Sequence, residues 1–180
     1  MAPFPLTVLF VPGVTPGKWE RTWKERMPRH RLELRPASQP EALTALAAGT
    51  AQLAFLRDVI AGAGAAAELH VIPLYREPAV VVAPNDHPVA AFDALQFADL
   101  AGETLLDGDA ATAEMVATGV GLAIMPQSVA RAASRRDVIA RPVTDAPDSG
   151  IGLAWPVGSA DPAVEMFIGI VRGRTVNSTR

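Results

Sequence analysis

The sequence predicts an α/β fold, and three observations predict it. Apolar, β-rich runs punctuated by Pro and Gly alternate with helix-patterned segments through the first third of the chain. The run Ala79-Val80-Val81-Val82-Ala83 is closed by Pro78 and Pro84 and is too short to span a bilayer, so it reads as a buried strand. Near the carboxyl end two strand patterns and a helix return after a middle section with its own strands. The expected layout is a first lobe of residues 1–83 and 148–180 interrupted by a second lobe of residues 84–147, with two crossing strands as hinge.

The elements follow in order. Leu6–Val11 is an apolar strand that Pro12-Gly13 ends. Thr15 is placed as a helix N-cap and Pro16 as the first helical residue, where its missing N–H costs nothing. The helix runs from Lys18 to about Arg26, with Trp19 and Trp23 four apart on one face, where packing in the core or an interface is the commoner use of such a pair. His30–Arg35 alternates as a strand with Leu32 and Leu34 inward. Ser38 caps the next helix, and Glu41 three residues on completes a capping-box pattern. That helix ends at Gly49, and Gln52–Leu56 is a third strand. The order β-α-β-α-β implies parallel strands with right-handed crossovers.

Beyond it, Asp58–Glu68 is read as loop at its glycines and short helix through its alanines. Leu69–Leu74 and Ala79–Ala83 are strands, and Pro84–Pro88 is a turn cluster. Phe92–Leu100 carries a helix pattern, followed by a short strand, Thr104–Leu106. Asp107-Gly108-Asp109 introduces a helix from about Ala110 to Thr118, which Gly119-Val120-Gly121 breaks. Leu122–Met125 is a strand and Gln127–Ser134 a helix; Val138–Val143 and Ile151–Trp155 are strands; Asp161-Pro162 opens a last helix, Ala163–Val171. The tail from Arg172 to Arg180 is polar and basic.

Composition narrows the function. The chain has 180 residues and is 49% hydrophobic, enough for one medium domain or two small lobes. The net charge of -3 provides no overall basic field for nucleic acid, and a single Tyr argues against an aromatic-lined binding surface. There is no cysteine, which removes disulfides, thiol nucleophiles and thiolate metal sites and fits a reducing, cytoplasmic location. No secretory signal is visible at Met1–Pro5. His30, His70 and His87 are scattered without ligand spacing, so no metal is expected; Asp107 and Asp109 read as helix caps. No nucleophile elbow, phosphate loop or dinucleotide fingerprint is present, and neither an enzyme nor a cofactor is expected. Arg131, Arg135 and Arg136 read as a solvated helix end, with a DNA patch as the minor alternative.

Several segments in a shared order resemble the substrate-binding (effector) domain of LysR-type transcriptional regulators. Asp86-His87-Pro88-Val89-Ala90 resembles the family's hinge turn, and Phe97–Glu103 its short helix opening the second lobe. Val116–Ser128 resembles its glycine turn, buried strand and proline-started helix. Leu153-Ala154-Trp155 with Asp161–Ile170 resembles its return strand and final helix. The resemblance covers about Leu6 to Gly173 and implies a type 2 periplasmic-binding-protein-like fold with a ligand cleft between lobes. Two departures stand out. Leu6 already begins the effector-domain strand, so the family's winged helix is not seen and direct sequence-specific DNA binding is not expected. The stretch from Leu106 to Val116 is shorter than in the family, which implies a shortened second lobe.

The resemblance implies that Thr15, Pro16, Gly17 and Lys18 form the first contact loop for a small anion, with backbone N–H groups from Gly17 and Lys18 and a hydroxyl from Thr15. Pro16 has no N–H to give; for Thr15 the competing reading is a plain N-cap. Ser38 and Gln39 lie at the next strand-to-helix loop, either facing the ligand or capping the helix. Arg57 follows the third strand at its carboxyl end, where a guanidinium can grip a carboxylate or else pair with Asp58 or Glu68. Thr118 and Gly119 match a contact region of the second lobe.

The leading expectation is a stand-alone effector-sensing domain that takes part in transcriptional regulation, binds an anionic small molecule and works as a homodimer. The resemblance places that dimer on the helices Glu41–Ala48 and Gln127–Ser134, with a protein partner supplying DNA binding and no membrane association. The alternative is a dimeric interaction module that has lost its ligand. A third reading is nucleic-acid binding through the basic tail.

Overall fold

A computed structural model describes residues 5–109 and 111–173. The strands are β1 (Leu6–Phe10), β2 (Leu32–Pro36), β3 (Leu53–Arg57), β4 (Leu69–Glu77), β5 (Ala79–Pro84), β6 (Leu105–Leu106), β7 (Leu122–Pro126), β8 (Val138–Pro142) and β9 (Ser149–Pro156). The helices are α1 (Gly17–Arg26), α2 (Gln39–Ala47), α3 (Thr112–Ala117), α4 (Gln127–Ala132) and α5 (Pro162–Val171). Single 3-10 turns occupy Gly64–Ala66, Pro88–Ala91 and Phe97–Leu100. The α/β class is as expected, carried by two mixed sheets of order β2-β1-β3-β9-β4 and β6-β7-β5-β8.

The described residues divide into two compact units, one of residues 5–74 with 151–173 and the other of residues 75–109 with 111–150. The divisions fall inside β4 and β9, rather than near Pro84 and Pro147. β5, expected in the first lobe, belongs to the second sheet, where it pairs antiparallel with β7 and β8. The shift arises because β4 runs on to Glu77, three residues past the expected end. Pro73 is accommodated within it because β4 is an edge strand, where a missing donor breaks no ladder on the open side.

In the first unit β1 pairs parallel with both β2 and β3, as the β-α-β-α-β order requires, and β9 joins β3 antiparallel. Parallel strands place the strand-to-helix loops after β1, β2 and β3 on one edge. The core beneath them is led by Trp23, Phe55, Phe167, Leu46 and Leu53. Trp19 stacks on Phe55 with centroids 4.7 Å apart, and Trp23 lies against Phe167 at 5.8 Å. The indole N–H of Trp23 donates to the His30 carbonyl at 2.8 Å. The two tryptophans are thus core residues that hold α1 to the sheet.

In the second unit β5 is buried on both faces, which is why it reads as an unbroken apolar run. Val80 and Val82 enter one cluster with Val116, Ala123 and Met125, and Val81 and Ala83 enter another with Leu95, Leu100 and Leu122. The helix expected over Phe92–Leu100 contracts to the turn Phe97–Leu100. Leu95 is taken instead by a bridge to Val143: its N–H donates to Pro142 O at 2.9 Å, and its carbonyl accepts from Thr144 N at 2.8 Å. Residues 174–180, most of the basic tail, lie outside the described residues.

Candidate functional site

The three loops at the carboxyl edge of β1, β2 and β3 carry most of the expected ligand residues. After β1 the chain makes a type II turn over Val11–Val14. Pro12 takes the second position and Gly13, at φ 90°, the third, and Val14 N–H donates to Val11 O at 3.2 Å. Only glycine adopts that φ cheaply, so Gly13 is required by the turn.

The helix that follows begins at Gly17, one residue after the Pro16 expected to be its first, and its N-cap is Pro16. Pro16 is buried, and its carbonyl accepts from Trp19 N at 3.0 Å and Glu20 N at 3.1 Å. The N-cap reading of Thr15 is therefore corrected: Thr15 lies exposed outside the helix, and no side chain caps α1. The reason is that a proline at Ncap supplies the carbonyl the first turn needs without needing its own N–H. Among the described residues no acceptor is paired with the N–H of Gly17 or Lys18. Both residues are exposed, and a Cβ added at Gly17 would meet nothing within 4 Å. The two donors lie on exposed residues at the positive end of a ten-residue helix. Lys18 Nζ sits 4.4 Å from the Trp19 ring centroid, which keeps its charge near this end. Beside Gly17 a groove of about 700 Å³ follows the free edge of β2, where Arg31 and Arg35 pair with Glu33 at 3.1 and 2.7 Å.

Ser38 caps α2 with the full capping box. Its hydroxyl accepts from Glu41 N at 3.4 Å and donates to Glu41 Oε2 at 2.6 Å, and that carboxylate accepts from Ser38 N at 2.8 Å. The hydrogen bonds from the Ser38 side chain and then its backbone hold the Glu41 carboxyl below the usual range. Gln39, the first residue of α2, turns its amide to β3: Nε2 donates to Arg57 O at 2.9 Å, and Arg57 N donates to Oε1 at 2.8 Å. The Arg57 guanidinium donates from Nη2 to Pro12 O at 3.2 Å. Asp58, next in the chain, has φ 50°, a left-handed conformation that Asp tolerates better than most residues. Of the expected residues of the first lobe, Arg57 is joined directly to the first loop's Pro12 carbonyl, and Gln39 is linked to it through the Arg57 backbone. That carbonyl was not singled out from the sequence, since no local pattern marks a partner 45 residues away.

In the second unit Thr118 and Gly119 form the end of α3. Thr118 is the C-cap residue, its hydroxyl donates to Met115 O at 2.7 Å, and Gly119 follows at φ 77°. A helix carboxyl end carries negative potential, so this pair offers an anion no donor surplus. Asp109 stands two residues before the N-cap of α3, which is Ala111 and not an aspartate; its Oδ1 accepts from Ala111 N, Thr112 N and the Thr112 hydroxyl at 2.8, 2.9 and 2.8 Å. Its carboxyl is held low first by the Thr112 hydroxyl and then by the Thr112 N–H. His87 uses Nδ1 to accept from Val89 N at 3.3 Å, and its Nε2 faces Glu103 at 3.4 Å; both contacts order the turn into Pro88. Among the described residues no cluster of three metal-ligating side chains occurs. Arg135, one of the basic cluster, is forked onto Asp137 with two 3.0 Å contacts. No described helix is long and apolar enough to cross a membrane.

Comparison with known proteins follows the same outline. The family model described as LysR substrate binding domain matches residues 17–110 and 106–175. A point mutant of the OxyR regulatory domain from Pseudomonas aeruginosa is 21% identical, with 97% of this chain and 99% of that chain covered and a TM-score of 0.72. The oxidized form of OxyR is 24% identical over 98% of both chains, with a TM-score of 0.74. The BenM effector binding domain with its effector benzoate is 16% identical, covers 94% of this chain and 90% of that chain, and has a TM-score of 0.77. At such identities the likeness to solved structures is one of fold. No curated protein matches the sequence.

Proposed function

The chain belongs to the LysR substrate-binding domain family, and from that premise we propose that it senses a small organic anion held at the start of α1. Membership implies effector sensing in transcriptional regulation. The anion is the finer reading, and one observation carries it: among the described residues the N–H groups of Gly17 and Lys18 have no protein acceptor, and both residues are exposed at the positive end of a helix. The proposed contacts are these two donors with the exposed Thr15 hydroxyl. The domain acts as a homodimer in this reading, with DNA contact left to a partner. A thiol switch is not part of it. OxyR is described in oxidized and reduced forms, but these 180 residues contain no cysteine to cycle.

The test is a thermal-shift screen of small carboxylates, amino acids and inorganic phosphate, followed by amide NMR of any hit. A ligand at one hundred times its Kd raises stability by about 2.7 kcal/mol. The expected result is a saturable rise in Tm, with the largest amide shifts at Gly17 and Lys18. A flat response across the panel overturns the reading.

One observation favours a second reading, a dimeric interaction module without a ligand. Thr118 and Gly119, the contact region expected from the second lobe, are consumed in ending α3. The family match also comes in two segments that overlap at residues 106–110, inside the stretch that the resemblance implies is shortened. This reading predicts a constitutive dimer in sedimentation, together with the flat screen.

A further inference from the structure

We propose that Gln39 and Arg57 are positioning residues that latch the β1–α1 loop into its binding shape, so that Arg57 acts on the ligand through the loop rather than by gripping it. The proposal rests on the anion reading for its consequence, though not for its geometry. The last rung between β1 and β3 is Val11 N donating to Phe55 O at 3.2 Å. Residues two apart on a strand point their backbone groups the same way, so Arg57 presents its N–H and carbonyl toward β1. By then β1 has turned away at Pro12-Gly13, and a polar backbone pair is left without a strand beside it.

The Gln39 amide takes the place of that strand. It carries one donor and one acceptor, as a peptide does, and bonds both Arg57 groups at 2.9 and 2.8 Å. With the Arg57 backbone held in this way, the guanidinium reaches back to Pro12 O at 3.2 Å. The circuit joins the start of α2, the end of β3 and the loop that leads to Gly17. A hydrogen bond from a charged group to the Pro12 carbonyl restrains the residue that sets the type II turn, and the turn sets the direction in which α1 begins. Rigid loops bind more tightly because less freedom is lost on binding.

The experiment compares the full chain with Gln39→Ala, Arg57→Ala and the double variant, with Arg57→Lys as a milder change that keeps a donor and a charge. Amide hydrogen exchange is read without ligand at Val14, whose N–H closes the turn. The Kd for inorganic phosphate and for benzoate is read at the Gly17 and Lys18 amides at fixed ionic strength. Loss of one such bond is expected to speed Val14 exchange and weaken probe binding by about tenfold each. The double variant is expected to be little worse than Arg57→Ala, since both residues act through one circuit. Unchanged Val14 exchange in both single variants overturns the latch. Weaker binding with unchanged exchange overturns it too, and makes these residues direct ligand contacts. If neither probe binds the wild-type chain, the anion reading fails while the exchange measurement still decides the latch. If Gln39→Ala does not fold, Arg57→Ala carries the test: faster Val14 exchange supports the latch and unchanged exchange overturns it.

Discussion

Glu77 and Ser128, 51 residues apart, meet at the start of α4. The buried Glu77 carboxylate accepts from Ser128 N at 2.9 Å through Oε2 and from the Ser128 hydroxyl at 2.8 Å through Oε1. A carboxylate at this position satisfies an otherwise unpaired first-turn N–H and lies at the positive end of the helix. It ties the end of β4 to the start of α4, directly after β7.

Replacing Glu77 by Ala leaves Ser128 N–H without this acceptor in a partly buried place. The expected cost is about 1–3 kcal/mol, read as a lower midpoint in urea with an unchanged slope. Glu77→Gln should lose less, because one oxygen remains to accept. Equal losses for the two variants would mean that the charge, and not the acceptor, holds α4.

Gly108 has no room for a side chain. A Cβ there would stand 2.0 Å from Ile124 O and 3.1 Å from the Met125 Cβ. Gly108→Ala must push the loop off β7, at about 3 kcal/mol. Gly17→Ala meets nothing within 4 Å and should change stability by no more than about 0.5 kcal/mol. Calorimetry of the two variants side by side checks the contrast, and also shows whether Gly17 can be altered without disturbing α1.

Stability should fall on acidification in a way that specific side-chain hydrogen bonds control. The Glu41 carboxyl is held low by Ser38, and the Asp109 carboxyl by Thr112. A carboxyl whose folded pKa lies below its unfolded value, about 4, contributes stability that is full above that value. The contribution is lost as pH falls through the lowered folded pKa. Urea midpoints from pH 6 to pH 2 should drop in this window. Ser38→Ala and Thr112→Val should each flatten the drop, and Ser38→Ala should also cost about 1 kcal/mol at neutral pH as a lost N-cap.

Trp23 is 1% exposed and spends its indole N–H on the His30 carbonyl. Trp23→Phe removes that bond and leaves part of the indole volume empty against Phe167. A loss of about 2–3 kcal/mol is expected, seen as a lower Tm. A loss much below 1 kcal/mol would mean that the core closes over the gap.

The sequence by itself determined the features that depend on neighbours along the chain. The apolar run of β5, the capping box Ser38–Glu41, the opening of the last helix at Asp161-Pro162 and the turn at Pro12-Gly13 all appear where the residues placed them. Each rests on a period or a hydrogen bond spanning a few residues, so the pattern and the cause lie in the same window. Tertiary structure decided the rest. It ended the Phe92–Leu100 helix pattern by drawing Leu95 to Val143, and it moved β5 into the second sheet. It took Thr15 out of the α1 cap, because Pro16 supplied the first-turn carbonyl. At the candidate site it turned Gln39 and Arg57, 18 residues apart, into a substitute strand rung beside a loop 45 residues away from Arg57. These partners were beyond reach of any local pattern, because an unpaired N–H or carbonyl bonds to whatever the path of the chain brings within about 3 Å.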